Sequence, residues 1–226
     1  MKATIITPTI GTPYLLEACA SVAKQTQECL HLIVVDGRDS ANRVVDIVSR
    51  AALENPMYAY NIIVVPWRTG ENRFNGHRIY GSISGLVMTP YFSWLDEDNF
   101  FDRDFVETMV GALEEEKDKN YATCRRTVIK DDGSTIGRDN RESIGKNGMG
   151  YDLYDMNTFM FKASMALVTQ YVQIKWFMGA DDGYEGDRDL TKAIIDVPHK
   201  HLSDYHGVYY RSPKRLEKFF KEICDE

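Results

Sequence analysis

Tyr91-Phe-Ser-Trp-Leu-Asp-Glu-Asp98 is a short apolar run that ends in three carboxyl groups. Tyr91, Phe92, Trp94 and Leu95 suit a strand buried on both faces, and the acids mark where it leaves the sheet. The pattern recurs toward the amino terminus. Ala3–Thr7 reads as a strand broken by Pro8 and Gly11, His31–Val35 as a β-branched run stopping at Asp36-Gly37, and Asn61–Val65 as a third strand. Helical spacing fills the intervals at 13–26, 41–53 and 76–88, with Thr12 as an N-cap and Pro13 at the first helical position. This alternation predicts an α/β fold with a mostly parallel central sheet and helices on both faces. Ligands of such sheets bind outside the carboxyl ends of the strands. Polar groups stand at three of those ends: Thr7-Pro8-Thr9, Asp36 and Asp96-Glu97-Asp98.

Further along, Phe105, Val106, Met109, Val110 and Leu113 form a helical stripe that Asp102 is expected to cap, and Tyr121–Ile129 reads as a strand. Residues 131–150 are rich in glycine and charge and predict a loop or loose hairpin, while helices are expected at 162–171, 187–196 and 213–223. Neither repeats nor a linker interrupt the chain, so residues 1–226 are expected to form a single domain.

Composition narrows the function. With 226 residues, 43% apolar and 27% charged, the chain suits a globular domain that buries roughly 70% of its unfolded surface. A net charge of −7 and a pI near 5.3 argue against a nucleic-acid backbone as main partner. No run approaches the roughly 18 apolar residues of a transmembrane segment, and Pro8 and Gly11 spoil any leader peptide. Four cysteines without CxxC spacing fit a reducing compartment. A cytoplasmic location, with or without peripheral attachment to a membrane, is therefore expected. The charge is clustered: Asp96–Asp118 holds ten acids against two bases, a local balance of −8.

Asp96 and Asp98 lie two residues apart at a strand end, where they can face one cation. Mg²⁺ and Mn²⁺ take oxygen ligands, commonly one or two carboxylates plus substrate phosphates. The plainer reading is a solvated turn ahead of a helix, and both stand at this level. Gly186-Asp187-Arg188-Asp189 opens a helix after Asp181-Asp182, where acids also serve the first turn.

Four motifs in order, Pro8-Thr9, Val34-Val35-Asp36-Gly37, Gly76-His-Arg78-Ile-Tyr-Gly81 and Leu95-Asp96-Glu97-Asp98, resemble those of the family 2 glycosyltransferases of the GT-A fold, a Rossmann-like architecture. The likeness is dense over 3–100 and thinner afterwards. It implies a nucleotide-sugar-binding half at 1–100 and an acceptor-binding half at 101–226. It implies that Thr7, Pro8, Thr9 and Asp36 cradle the base and ribose, and that Arg78 lies near the diphosphate. Asp96 and Glu97 would also serve the donor, Asp98 and Asp96 a divalent Mn²⁺ or Mg²⁺, and His206 would complete the metal shell, with His199 and His201 as rivals. Asp187 matches the base of the family's Glu-Asp-Arg motif, although Gly186 replaces the glutamate and Asp189 competes. The expected partners are a UDP-, GDP- or dTDP-sugar and a glycan or glycoconjugate acceptor, with inversion at the anomeric carbon. Asn157 is a candidate hydrogen-bond donor to a hydroxyl, Trp176 is a core or stacking residue, and His77 and Trp67 read as structural.

Three rival readings share these features. A nucleotidyltransferase would want a lysine in the first loop, which Thr7–Thr12 lacks. A non-catalytic sugar-binding domain would not need the acids at 96, 98 and 187. Retaining chemistry on the same fold differs only in the product anomer. A chain this short meets an acceptor within a larger assembly, as a homodimer, or in an open groove.

Overall fold

The computed structural model describes residues 1–146, 152–170 and 186–225. Its main sheet has seven strands in the order β12-β6-β11-β4-β1-β2-β3. These are β1 (Ala3–Thr9), β2 (Cys29–Asp36), β3 (Tyr60–Val65), β4 (Tyr91–Trp94), β6 (Tyr121–Cys124), β11 (Phe159–Lys162) and β12 (His199–Leu202). β1 runs parallel to β2 and β4, β2 to β3, and β6 to β12, while β11 runs antiparallel to β4 and β6. The sheet is mostly parallel and carries helices, as the alternation predicts.

Burial follows the strand period. On β1, Ala3 and Ile5 join one core and Ile6 the other, because successive side chains leave on opposite faces. The first core takes α1 (Leu15–Ala23), α2 (Ala41–Glu54) and α4 (Phe105–Glu115), through Leu15, Val44, Val48 and Met109. The second takes α3 (His77–Ile83) and α5 (Gly186–Ile194), through Ile79, Tyr80, Leu190 and Ile194, around the stacked rings of Phe159 and Phe161 and the tilted ring of Trp94. No helix among the described residues is long and apolar enough to cross a membrane.

Several expectations need correction. Tyr121–Ile129 is two strands, because the chain turns at Arg125, whose N–H bonds the carbonyl of Tyr205. β7 (Arg126–Ile129) leaves the main sheet for a second one of order β5-β13-β7-β8, with β5 (Phe100–Phe101), β8 (Thr135–Asp139) and β13 (Val208–Arg211). Within 131–150, read as a loop or loose hairpin, β8 forms a hairpin with β7 and β9 (Gly145–Lys146) pairs with β10 (Asp152–Leu153), while 147–150 lie outside the described residues. Thr12 does not cap α1, which begins at Leu15 behind Tyr14; its N–H is held by Glu97. Asp104, not Asp102, precedes α4, and Asp102 gives only its carbonyl to Phe105. The helix expected at 213–223 is a 3-10 turn at Lys214–Leu216 followed by α6 (Glu217–Ile223). The one expected at 162–171 opens as a 3-10 turn at Ala163–Met165 and runs on as helix through 166–170, with 171 outside the described residues.

Candidate active site

The carboxyl ends of β1, β2 and β4 bring Thr9, Asp36 and Asp96 to one edge of the sheet. Gly37 makes the turn after β2 at φ +100°, a conformation that favours glycine. The loop that follows β3 folds back over this edge. Asp36 anchors it, accepting bonds from the Thr69 N–H (2.7 Å), the Thr69 hydroxyl (2.9 Å) and the Gly70 N–H (2.9 Å). Between them lies a cavity of about 400 Å³, whose walls include Pro8, Thr9, Asp36, Arg68, Asp96 and Asp98.

Glu97 does different work from its neighbours. Its carboxylate accepts from the Thr9 hydroxyl (2.6 Å), the Ile10 N–H (3.2 Å) and the Thr12 N–H (2.9 Å). It therefore organises the loop after β1, although it also borders the cavity. Thr7 points away, its hydroxyl 2.8 Å from buried His31. Arg78 sits 3.7 Å over the Phe74 ring and donates to the Thr69 carbonyl, so it supports the folded-back loop and does not line the cavity.

Asp96 is held on both oxygens. The Tyr80 hydroxyl donates to Oδ1 at 2.6 Å and the Asn157 amide to Oδ2 at 3.0 Å, while the Asp96 N–H bonds back to Asn157 Oδ1 at 2.6 Å. Asn157 is fixed in turn by Asp155 Oδ1, which accepts from its N–H (2.8 Å) and its amide (2.7 Å). The other Asp155 oxygen receives Arg126 Nη1 at 2.5 Å. Arg126 also donates to Asp139 (2.9 Å) and Glu142 (2.5 Å), with its guanidinium 4.2 Å from the Tyr210 ring centroid. Burial opposes that charge, yet Asp155 and Asp139 hold the guanidinium firmly protonated.

A second cavity of about 240 Å³ lies beyond Asp96, which lines both, and includes Asp155, Asp187 and Tyr210 in its wall. Asp187 begins α5 with its side chain 37% exposed and its Oδ1 3.7 Å from His77 Nε2. The protein around it, then the charges of Asp155 and Asp96, raise its pKa well above the ordinary carboxylate range. Asp189 does not line this cavity. Burial lowers the His77 pKa to about 4, so that ring is neutral near pH 7. It packs flat against Gly186: a Cβ there would stand 2.5 Å from Nε2 and 2.6 Å from Cε1. Gly186→Ala should therefore cost about 1–3 kcal/mol of stability, read as a lower denaturation midpoint.

A divalent cation fits part of the expected set. Asp98 opens onto the first cavity, yet the protein packed around it, then the charge of Asp96, push its carboxyl up to about 7. A cation would relieve that crowding, and an oxygen donor suits Mg²⁺ or Mn²⁺. Asp96 lines the same cavity and accepts one bond on each oxygen, from Tyr80 and Asn157, which leaves lone pairs on both. His206 lines neither cavity, and its Nε2 stands 3.0 Å from Asn140 Oδ1, near Arg138 and Arg125. His201 bonds Thr123 and His199 stacks on Tyr121. No group of three His, Cys, Asp or Glu able to hold a metal occurs among the described residues. Asp98 and Asp96 are the oxygen donors that the first cavity offers to such a cation beside substrate phosphates.

Residues 4–177 match the family model for glycosyl transferase family 2. The chain belongs to this family. Membership makes it a glycosyltransferase in the broad sense, and Asp187 lies beyond the matched stretch. No curated protein sequence matches the chain. Among solved structures, S. aureus TarS 1-349 shares 16% identity at a TM-score of 0.69, over 100% of this chain and 67% of that one. The same protein in complex with UDP-GlcNAc gives 15% and 0.63, over 95% and 59%. A mannosyltransferase from Pyrobaculum calidifontis, in complex with GDP-Man and Mn²⁺, gives 14% and 0.61, over 95% and 58%. These likenesses establish the GT-A fold, and the chain spans a little over half to two thirds of those proteins.

Sequence reading missed Arg126, left His77 as structural, and weighed Asn157 equally as a hydroxyl contact and a turn residue. The available signal was a charged residue amid the apolar Tyr121–Ile129 run, a place where an arginine needs partners. Trp176 and Asp181-Asp182 lie outside the described residues.

Proposed function

We propose that this family 2 chain transfers a sugar from a nucleotide diphosphate sugar to a hydroxyl acceptor, with a divalent metal and with inversion. The observation that carries this is a pair of neighbouring cavities that share Asn75, Gly76 and Asp96 as walls, with Asp98 lining one and Asp187 the other. The larger cavity is walled entirely from residues 8–98, which supports assigning 1–100 to the donor. The smaller draws chiefly on later residues, which supports 101–226 as the acceptor half.

On this reading the nucleotide lies against Pro8, Thr9 and Asp36, with Arg68 lending positive charge. Asp98 would hold Mn²⁺ or Mg²⁺, which supplies positive charge against the diphosphate as it leaves. The acceptor hydroxyl bonds to the anomeric carbon from the face opposite the diphosphate, and the carbon–oxygen bond to that diphosphate breaks. Asp187 takes the hydroxyl proton. Burial and then the charges of Asp155 and Asp96 raise its pKa, which makes the carboxylate a stronger proton acceptor than an exposed one. UDP-GlcNAc and GDP-Man in the related structures support a nucleotide sugar as donor class.

The test is a screen of UDP-, GDP- and dTDP-sugars with Mn²⁺ or Mg²⁺, reading released nucleoside diphosphate. Absence of both hydrolysis and transfer with every donor would reject the proposal. Asp98→Ala should weaken Mn²⁺-dependent nucleotide binding at least tenfold by calorimetry and leave metal-free binding unchanged.

A further inference from the structure

The smaller cavity tells what kind of hydroxyl compound it accepts, a question that rests on the transferase reading above. Its volume of about 240 Å³ equals roughly eight waters, the scale of one sugar ring. Among the described residues four carboxyl groups line it, Asp96, Glu142, Asp155 and Asp187, against one cation, Arg126. Arg188 lies close enough to Asp187 to favour its charge, which makes the count four to two.

Arg126 is poorly placed to welcome an anion. Its Nε, Nη1 and Nη2 already donate to Asp139, Asp155 and Glu142, and the Tyr210 ring covers one face of the guanidinium. Three carboxylates around one cation leave a negative balance. His77, at the same wall, brings no positive charge while neutral. Carboxylates accept hydrogen bonds from hydroxyls, and an aromatic face such as Tyr210 packs on the apolar face of a sugar. An entering carboxylate or phosphate would meet like charge in a partly enclosed cleft, where water screens it weakly.

We infer that the acceptor unit seated beside Asp187 is a neutral polyhydroxyl ring, and that sugars bearing a carboxylate or phosphate on that ring are rejected. The experiment uses the full chain with Mn²⁺ and whichever nucleotide sugar it hydrolyses. Methyl hexosides are compared with the matching methyl uronosides and 6-phosphates. Transfer is followed by product mass and binding by saturation-transfer NMR. The neutral ring should exceed its charged counterparts at least tenfold in kcat/KM, or be the only one bound. Glu142→Gln should shrink that ratio, a comparison made within one preparation and so independent of its folded fraction. Equal or better use of the uronoside or phosphate, or no binding of any neutral hexoside, overturns the inference while leaving donor hydrolysis, and with it the transferase reading, in place. No hydrolysis of any donor overturns both.

Discussion

Asp187→Asn is expected to slow sugar transfer by about 10²–10⁴-fold, the usual contribution of a positioned general base, while nucleotide affinity stays within twofold of the parent. The expectation follows from location. Asp187 opens onto the smaller cavity and has no part in the wall of the larger one, which Asp98 lines. Asparagine keeps the size of the side chain and its place beside His77, so the loss belongs to proton acceptance rather than to packing. The measurement pairs transfer rates with calorimetric binding of the nucleotide. Equal losses in binding and transfer would assign Asp187 to the donor side and undo the division of roles proposed for the two cavities.

Arg126→Ala is expected to destabilise the fold by about 3–5 kcal/mol, the cost of breaking a buried ion pair by removing one partner. Asp139, Glu142 and Asp155 would then face one another without a counter-charge, and the Tyr210 and Phe220 rings would lose the guanidinium they surround. Urea denaturation measures the loss. Arg126→Lys should recover only part of it, because an ammonium cannot match three carboxylates with a planar fork. The second consequence is local. Asp155 fixes Asn157, and Asn157 fixes Asp96, so whatever Arg126→Lys protein folds should also bind nucleotide less tightly. Unchanged nucleotide affinity in a folded Arg126→Lys protein would show that Asp96 keeps its place without this support.

Much of the sheet was legible because its strands are short, apolar and cut off sharply by polar residues. The ends at Asp36 and Asp96 could be found from the chain alone, since glycine and acids mark where a buried strand stops, whereas β1 runs on past the expected end at Thr7, through Pro8, to Thr9. Tyr121–Ile129 misled for the opposite reason. Nothing in its composition marks Arg125 as a corner; the corner depends on Tyr205, far along the chain, taking the Arg125 N–H. β12 was missed because His199, Lys200 and His201 are half-buried at a sheet edge and carry no strand pattern.

The site divides in the same way. Asp98 and Asp187 were nameable from local motifs. Arg126 was not, because its partners follow 13, 16 and 29 residues later and only the fold assembles them. His206 was singled out by its place toward the carboxyl terminus, and the fold gives its ring a partner that local sequence does not name, Asn140.

The contact between His77 and Gly186 has a consequence for how this sequence can drift. With the imidazole ring lying where a Cβ would go, a side chain at position 186 displaces that ring unless position 77 shrinks. The order of substitution is therefore constrained: a small residue at 77 opens the way to change at 186, and the reverse route passes through a strained protein. Two positions 109 residues apart in the chain form one evolutionary unit, and Asp187 is the neighbour that inherits every step they take together.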